Sequence, residues 1–194
     1  MVRSFQEDAL DPGVVDRMLE HAVHAPSAGF SQGWAFVVLT EPADRELFWD
    51  ASFPQRTKEF RWPGILKAPC IIVPLSHKDA YLDRYAEADK GFTDRSESRW
   101  AAPYWDIDTG MASLLMLLTA VDEGLGALFF GIQPQNHSGL RAAFAIPAAY
   151  SPIGAIAVGR RAPDELSPSL RRGRRPLDEV VHRGRWSAPS AEVG

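Results

Sequence analysis

The apolar run from Trp105 to Ile132, WDIDTGMASLLMLLTAVDEGLGALFFGI, constrains the fold of this chain most. It contains no charged residue between Thr109 and Val121, and its apolar residues recur at spacings of three and four, the period of an α-helix. Met116 and Leu117 add apolar side chains to the other faces, so we expect a helix that is buried all round, in a core or against a partner subunit. The periodic positions are Ile107, Met111, Leu114, Leu115, Leu118 and Val121.

The ends of this run argue against a membrane span and predict a turn and a strand. A span needs about 20 apolar residues, whereas acidic residues flank this run on both sides, the last of them at Asp122 and Glu123. Gly124 and Gly126 would end the helix, because glycine adopts the left-handed conformation of a C-terminal cap without steric cost. The residues from Ala127 to Phe130 predict a strand that ends at Gly131, where a ligand could approach the backbone closely.

Length and composition indicate one globular domain. The chain has 194 residues, of which 45% are hydrophobic, and we expect one domain over residues 1–186 with a C-terminal arm from about residue 160. Residues 187–194 are predicted to be disordered. A net charge of -4 argues against a general nucleic-acid binder. Cys70 is the only cysteine, and the N-terminus has no apolar signal region, so we expect a cytoplasmic protein.

The rest of the chain alternates between predicted helices and strands, although the sheet order cannot be inferred from the sequence. Asp11 as N-cap and Pro12 at the first helical position predict the first helix. Residues 53–67 are expected to be irregular or to contain a short helix, and the polar segment 87–99 is expected to be a mobile flap. The predicted helices span 12–25, 42–49, 78–86 and 134–145, and the predicted strands span 34–39, 69–75 and 152–158.

Two glycine-containing motifs resemble known enzyme motifs, but the helices and strands around them come in the wrong order. The segment from Gly29 to Gly33 matches the G-x-S-x-G motif of serine hydrolases, but that motif needs a strand before it and a helix after it. Here the order is reversed. His137 and His182 lie downstream, so a hydrolase that uses Ser31 stays open as a less favoured alternative. The glycines between residues 124 and 131 fail as a dinucleotide-binding fingerprint on spacing and on the order of elements.

Three side chains that could bind a metal or act as nucleophiles have simpler interpretations. His21 and His24 could share a metal ion at their spacing of three, but a solvated helix end explains the pair without a third ligand. Cys70 lies within an apolar strand, where a thiol is normally a small buried hydrophobic group. The sequence therefore predicts no metal site.

The arginine-rich segment near the C-terminus has two interpretations that residue chemistry alone leaves equal. Between Arg160 and Arg185 there are eight arginines and four acidic residues, a local charge of +4 in an acidic chain. Four of these arginines lie between Arg171 and Arg175. The segment is either a solvated basic tail or a site for a phosphate dianion, to which guanidinium groups donate charge-assisted hydrogen bonds.

Several short motifs follow one another in order along the chain. The segment Ala25-Pro26-Ser27-Ala28-Gly29, followed by Ser31-Gln32-Gly33-Trp34, is similar to the A-P-S-x-x-x-x-Q-x-W segment of the nitroreductase family. The helix with Asp108 that leads to Gly124-Leu125-Gly126, the strand that ends at Gly131, the strand from Gly154 to Gly159, and Arg174 before Pro176 match in turn. The resemblance covers nearly the whole chain.

This resemblance implies an FMN enzyme of α+β fold, with a mainly antiparallel or mixed sheet flanked by helices, in an intertwined homodimer. The loop formed by Pro26, Ser27, Ala28 and Gly29 would lie against the flavin bound mainly by the other subunit. The backbone of Phe130 and Gly131 would face the flavin N5 and O4 edge, and Arg3 the N1 and O2 edge, where a cation favours the negative charge of the reduced ring. Arg172 and Arg174 would hold the phosphate, with Arg175 as a possible substitute.

Two departures from the family pattern affect these assignments. The family usually begins R-R-S-x-R-x-F, but only Arg3 and Phe5 remain of that motif here. Either the natural start lies upstream, or the C-terminal arginines hold the phosphate alone. Phe130 stands where many members have a polar residue, which leaves the substrate range open.

The predicted function is hydride transfer from NADH or NADPH, through the flavin, to a small electron-poor acceptor such as a nitroaromatic or a quinone. Phe92, Trp100 and Tyr104 could form an aromatic wall of the substrate pocket. An equally good interpretation is that Trp100 and Tyr104 only pack beneath the flap. A flavin-binding protein without turnover is the alternative from a different functional class.

Overall fold

The computed structural model describes residues 1–55, 61–92, 94–165 and 167–186, and it divides into two compact units, Met1–Asp164 and a C-terminal unit that begins at Glu165. The first unit contains five strands and five α-helices among its described residues. The strands are β1 (Trp34–Leu39), β2 (Cys70–Ser76), β3 (Gly126–Phe130), β4 (Ser151–Pro152) and β5 (Ala155–Gly159). The helices are α1 (Pro12–Ala22), α2 (Pro42–Ser52), α3 (Lys78–Ala86), α4 (Tyr104–Asp122) and α5 (His137–Ala143).

All strand pairings are antiparallel, and the strands lie in the order β1, β2, β5, β3. The short strand β4 pairs with the end of β2. The strand β2 is central and is buried along its whole length, which explains its apolar sequence from Cys70 to Leu75. The α+β fold predicted from the resemblance, with a mainly antiparallel sheet between helices, is therefore confirmed.

The sheet is packed by helices on both faces. Alternate residues of β2 point to opposite sides, so that Ile71 and Val73 face one core while Cys70 and Ile72 face the other. The first core contains Phe48 and Trp49 of α2 and Leu140 of α5, and the second contains residues of α1 and α4 such as Met18 and Met116. The sheet is thus the middle layer of three.

The predicted strand 152–158 is in fact two strands, because Gly154 interrupts it. The pairing of β2 shifts by one residue between Ile72, which is opposite Ile156, and Leu75, which is opposite Pro152. Such a shift is a β-bulge. At Gly154 an added Cβ would lie 2.6 Å from Phe129 Cζ and 2.8 Å from the Phe130 carbonyl oxygen, so only glycine fits where β3 passes.

The long helix α4 was expected to be buried all round, but within the single chain it buries only one face. Its buried residues are mostly small or polar, namely Asp108, Thr109, Ala112, Ser113, Met116, Thr119 and Ala120. The large residues Ile107, Leu114, Leu118 and Val121 form an exposed stripe, with Leu118 56% exposed. The sequence could not distinguish the two faces, because helical periodicity marks an apolar stripe without stating what covers it.

Several other predicted boundaries differ from the structure. The first helix ends at Ala22 and not near residue 25, and the predicted helix 134–145 is a 3-10 turn, Pro134–Asn136, followed by α5. The segment 53–67 does contain a short helix, as the sequence allowed, namely the 3-10 helix Pro63–Lys67, while residues 56–60 lie outside the described residues. The predictions for β1 and α3 are confirmed to the residue.

The second unit contains a 3-10 helix, Pro168–Arg172, and the short helix α6 (Leu177–Val180). Within it Arg175 pairs with Glu179 at 3.1 Å, and the rings of His182 and Trp186 stack with centroids 4.0 Å apart. The predicted disorder of residues 187–194 falls outside the described residues. Over the part of the chain that the structure describes, no helix is both long and apolar enough to cross a membrane.

Candidate functional site

Two of the predicted flavin-contacting segments lie at the same end of the sheet. Trp34 at the start of β1 pairs with Ser76 at the end of β2, and Phe130 at the end of β3 pairs with Ala155 at the start of β5. Strands β1 and β3 are the outer strands of this series, three strand spacings apart, or about 14 Å. The loop that precedes β1 and the backbone that follows β3 therefore do not meet within one chain.

The backbone after β3 is open. Gly131 is exposed, and no atom lies within 4 Å of the position that a Cβ would occupy there. The ring of Phe130 is turned toward the core, where it stacks on Trp49 with centroids 5.6 Å apart and an interplanar angle of 13°. It also packs against the rings of Phe48 and Phe53. The aromatic side chain thus braces the strand end, while the adjacent backbone stays accessible.

A buried carboxylate holds the loop before β1. Asp108 of α4 is 1% exposed, and its Oδ2 accepts hydrogen bonds from the Ala28 backbone N–H at 2.8 Å and from the Tyr81 hydroxyl at 2.9 Å. Burial, and then the hydrogen bond to Asp108, raise the pKa of the Tyr81 hydroxyl, so the phenol stays protonated and remains a donor. The loop is thereby linked to α3 and α4 together.

Further hydrogen bonds fix the shape of the loop. The Ser27 hydroxyl accepts from the Gln32 N–H at 3.1 Å, and Arg84 Nε donates to the Gly29 carbonyl at 3.1 Å. Gly29 has a φ of 62°, and an added Cβ would lie 2.6 Å from the Tyr85 ring. Only glycine suits both the left-handed backbone and this close approach.

The Ser31 hydroxyl has a structural partner. It donates to the Ala28 carbonyl oxygen at 2.6 Å, so the proton that a catalytic base would remove is held by the backbone. The loop contains a 3-10 turn, Ala28–Phe30, followed by β1, and not the strand and helix that frame a nucleophilic serine. This geometry does not favour the hydrolase alternative.

Arg3 is held on a separate surface near the start of β3. The Val2 N–H donates to the Ala127 carbonyl oxygen at 3.1 Å, and Ala127 is four residues, about 14 Å along a strand, from Gly131. The Arg3 guanidinium lies 5.1 Å from the centroid of the Trp62 ring, which is a cation–π distance. The structure therefore brings Arg3 to Trp62 and not to the end of β3.

The three predicted wall residues gather around Tyr85 and Trp100. Phe92 lies 5.4 Å from the Tyr85 ring, while Trp100 lies 4.6 Å from Tyr85 and 5.9 Å from Tyr104, measured between centroids. Because Tyr85 also packs against Gly29, this aromatic group is continuous with the loop before β1. The packing agrees with either interpretation of these residues, so their contact with a substrate stays a prediction.

Ion pairs attach the predicted flap to α3. Arg84 binds both carboxylate oxygens of Asp89 at 2.7 and 2.8 Å, and Arg95 contacts Asp79 at 2.8 Å. The flap also contains a 3-10 turn, Glu97–Arg99. Its mobility stays a prediction. The C-terminal arginines Arg171, Arg172, Arg174 and Arg175 are all exposed in the second unit.

The other reactive side chains have local roles. His21 Nδ1 lies 2.8 Å from the Thr119 hydroxyl, and His24 Nδ1 lies 2.7 Å from the Glu20 carbonyl oxygen. No cluster of three or more metal-binding side chains occurs in the ranges that the structure describes. Burial raises the pKa of the Cys70 thiol to about 12, which confirms the prediction of a buried, unreactive cysteine.

Sequence analysis missed the structural roles of Asp108, Tyr81 and Trp62. In the sequence Asp108 is an acidic residue before the apolar run and part of the family resemblance, and neither property indicates that it anchors the loop. The available signal was its position, since it lies four residues before Ala112, on the face of α4 that carries small residues. Nothing in the sequence pointed to Trp62 as the partner of Arg3.

Comparisons with known proteins agree with this architecture. The model of the nitroreductase family matches residues 1–160. A Thermus thermophilus protein named NADH dehydrogenase is 30% identical over 201 residues, covering 93% of this chain and 89% of its own length. A Staphylococcus aureus NADPH-dependent oxidoreductase is 25% identical, covering 96% of this chain and 70% of its own.

Solved structures show the same fold. An FMN-dependent nitroreductase from Clostridium difficile superposes with a TM-score of 0.66 at 19% identity, covering 95% of this chain and 94% of its own. A nitroreductase family protein from Streptococcus pneumoniae gives a TM-score of 0.67 at 23% identity, with 94% of each chain covered. The family match over most of the chain, together with the relative at 30% identity, leads to one conclusion: this chain belongs to the nitroreductase family of NAD(P)H-dependent oxidoreductases.

Proposed function

We propose that this protein uses bound FMN to pass hydride from NADH or NADPH to a small, flat, electron-poor acceptor such as a nitroaromatic or a quinone. The observation that carries the proposal is the open backbone at Gly131, which follows a strand end braced from behind by the Phe130 ring. A planar ring system can approach this backbone without meeting a side chain. Family membership supports the choice of FMN as the ring.

The residues that would hold FMN fit its chemistry. The backbone of Phe130 and Gly131 would meet the N5 and O4 edge of the isoalloxazine ring. Arg3 is not proposed as the cation at the N1 and O2 edge, because it lies at Trp62, near the start of β3 and about 14 Å along the strand from Gly131. FMN supplies the hydride chemistry, and the protein's residues orient the ring and tune its potential. The exposed arginines Arg172, Arg174 and Arg175 would bind the phosphate, because guanidinium groups donate pairs of charge-assisted hydrogen bonds to phosphate oxygens.

A homodimer would complete the site. The loop from Pro26 to Gly29 and the backbone at Gly131 belong to opposite outer strands, too far apart to contact the same face of one ring within one chain. We propose that the loop contacts the flavin held by a second copy. The exposed stripe of α4, which includes Leu114, Leu118 and Val121, supports this, because an obligate homodimer buries a largely apolar interface of about 2,000 Å² or more.

Flavin content and reduction test the proposed function. Purified protein supplemented with FMN should retain about one FMN per chain, should be bleached by NADH or NADPH without oxygen, and should recover its yellow colour when menadione is added. Absorbance near 450 nm measures each step. Bound flavin that no donor bleaches would indicate a flavin-sequestering protein, and no retained flavin would contradict the proposal.

Replacement of Asp108 tests whether the loop contacts the flavin. Asp108→Ala leaves the Ala28 N–H and the Tyr81 hydroxyl without their buried acceptor, so the free energy of unfolding should fall by about 3 kcal/mol. Where the protein still folds, the Kd for FMN should rise about tenfold, a loss of about 1.4 kcal/mol. Urea unfolding and flavin fluorescence titration measure the two effects.

Ser113→Ala on the same helix is the matched control. Ser113 is also buried, but its hydroxyl donates to the Thr109 carbonyl oxygen and does not contact the loop. The Ser113→Ala substitution should lower the free energy of unfolding by about 1 kcal/mol and leave the affinity for FMN unchanged. Asp108→Asn retains an acceptor oxygen and should fall between the two. An Asp108→Ala protein that binds FMN as the wild type does would contradict contact by the loop.

The arginines are tested by comparing FMN with riboflavin, which lacks the phosphate. Arg172→Ser combined with Arg174→Ser should weaken FMN binding by about 3 kcal/mol, more than a hundredfold, through lost charge-assisted hydrogen bonds, and should leave riboflavin binding unchanged. Arg183→Ser with Arg185→Ser removes the same charge from the same segment and is the control. If the two double variants lose the same amount of FMN affinity, the loss reflects the overall positive charge of the segment and not direct contact with the phosphate.

Leu118→Glu tests the dimer. A carboxylate in an apolar interface is costly to desolvate, so the native mass should fall from twice the 21.4 kDa chain mass to a single chain mass. Light scattering after size exclusion gives the mass, and bound flavin should be lost together with the dimer. Leu47→Glu is the control, because Leu47 is also exposed but lies on α2. A wild-type protein of single-chain mass would contradict the dimer directly.

A further inference from the structure

Phe30 is an exposed aromatic residue held in an unfavourable backbone conformation. Its side chain is 76% exposed, and its φ is 57°, in the left-handed region that residues with a Cβ avoid. A phenylalanine gains stability by burying its ring, yet in this chain the ring buries little. Both properties disfavour this residue in the isolated subunit.

The surrounding loop maintains this conformation. The Phe30 N–H donates to the Ser27 carbonyl oxygen at 2.9 Å, and the Ser31 N–H donates to the Ala28 carbonyl oxygen at 3.2 Å. The hydrogen bonds from Ala28 to Asp108 and from Arg84 to Gly29 fix the loop on either side of these bonds. Gln32 is also left-handed, with a φ of 49°. The Ser27 and Ser31 hydroxyls form hydrogen bonds within the loop, whereas the Phe30 ring is exposed.

Strained backbone that the surrounding structure holds in place is typical of ligand-binding sites. An asparagine or glycine would fit the left-handed conformation more easily, so the phenylalanine at this position is not explained by the needs of the loop. Its exposed ring is therefore available to pack against a group outside this chain. A ring on a fixed backbone offers a flat apolar face with only two side-chain torsions to restrict.

We propose that Phe30 determines acceptor specificity by packing its ring against flat aromatic acceptors bound over the flavin of the second copy. The inference rests on the proposed function, which sets the preceding residues, Pro26 to Gly29, against that flavin. The substrate class it selects is fused-ring or substituted aromatic acceptors, such as naphthoquinones. Acceptors without an aromatic face would gain nothing from the ring.

The test compares the wild-type FMN-loaded protein with Phe30→Asn, using menadione and hexacyanoferrate(III) as acceptors under a saturating concentration of the donor. Asparagine tolerates the left-handed backbone, so the variant should fold with no loss of stability. The KM for menadione should rise about threefold to tenfold, the range expected for a lost aromatic contact. The rate with hexacyanoferrate(III) should stay the same, because this ion takes electrons without stacking. Phe30→Tyr retains an aromatic ring and should keep the wild-type KM for menadione.

Ala145→Asn is the matched control for the backbone effect. Ala145 is exposed and left-handed, with a φ of 50°, and it follows α5, so it belongs to a different segment from the loop before β1. The same replacement there should leave the KM for menadione unchanged. A KM that changes equally in both asparagine variants would overturn the proposal.

Two further outcomes would also overturn it. An unchanged KM for menadione in Phe30→Asn, in a protein whose wild type turns over, would remove Phe30 from the acceptor site and leave the proposed function intact. A fall in native mass in Phe30→Asn would assign the ring to the contact between copies. If the wild type itself does not bind FMN or does not reduce menadione, the proposed function is wrong. That result differs from a loss of the Phe30 proposal alone, so the two proposals can be tested separately.

Discussion

The buried carboxylate of Asp108 is the contact on which the candidate site depends. It joins the loop before β1 to α3 and α4 through the part-buried Ala28 N–H and the buried Tyr81 hydroxyl, and both donors would otherwise lack this acceptor. An unpaired donor in a protein interior costs about as much as a lost hydrogen bond to a charged group. This explains how a strained loop keeps one shape. The shape in turn decides where Phe30 and Gly29 lie.

The two faces of α4 carry different kinds of side chain, because one face packs against the sheet and the other is exposed in the single chain. The face toward the sheet carries small and hydroxyl-bearing residues, which allow close packing against α1 and β2 and leave room for the Asp108 carboxylate. The opposite face carries the large aliphatic residues. In a single chain these remain exposed, which is the arrangement expected of a helix that packs between two subunits. The proposed site, with its flavin shared between copies, would follow from the same helix.

The end of β3 shows how packing on one side of the sheet can prepare a binding surface. Phe130 places its ring in the cluster with Trp49 and Phe53, and Gly154 lets β5 approach so closely that no Cβ fits between the strands. These contacts fix the backbone around Gly131, which then needs no side chain of its own. A rigid, open backbone is suited to a cofactor that performs the chemistry itself. The residues that were expected at the opposite edge of the ring, Arg3 in particular, have a separate support in Trp62.

The sequence by itself determined the elements whose signals are local. Asp11 and Pro12 begin α1 because the capping carboxylate accepts from the Gly13 N–H at 2.9 Å, and the apolar runs at β1 and β2 lie in the sheet as their patterns predict. The order of motifs along the chain likewise sufficed for the family. The tertiary structure alone decided which face of α4 is covered, where β4 and β5 separate, and that Asp108 binds the loop eighty residues earlier in the chain. The physical reason is range: capping and periodicity act within a few residues, whereas the burial of a charge and the close passage of two strands depend on partners that the folded chain brings together.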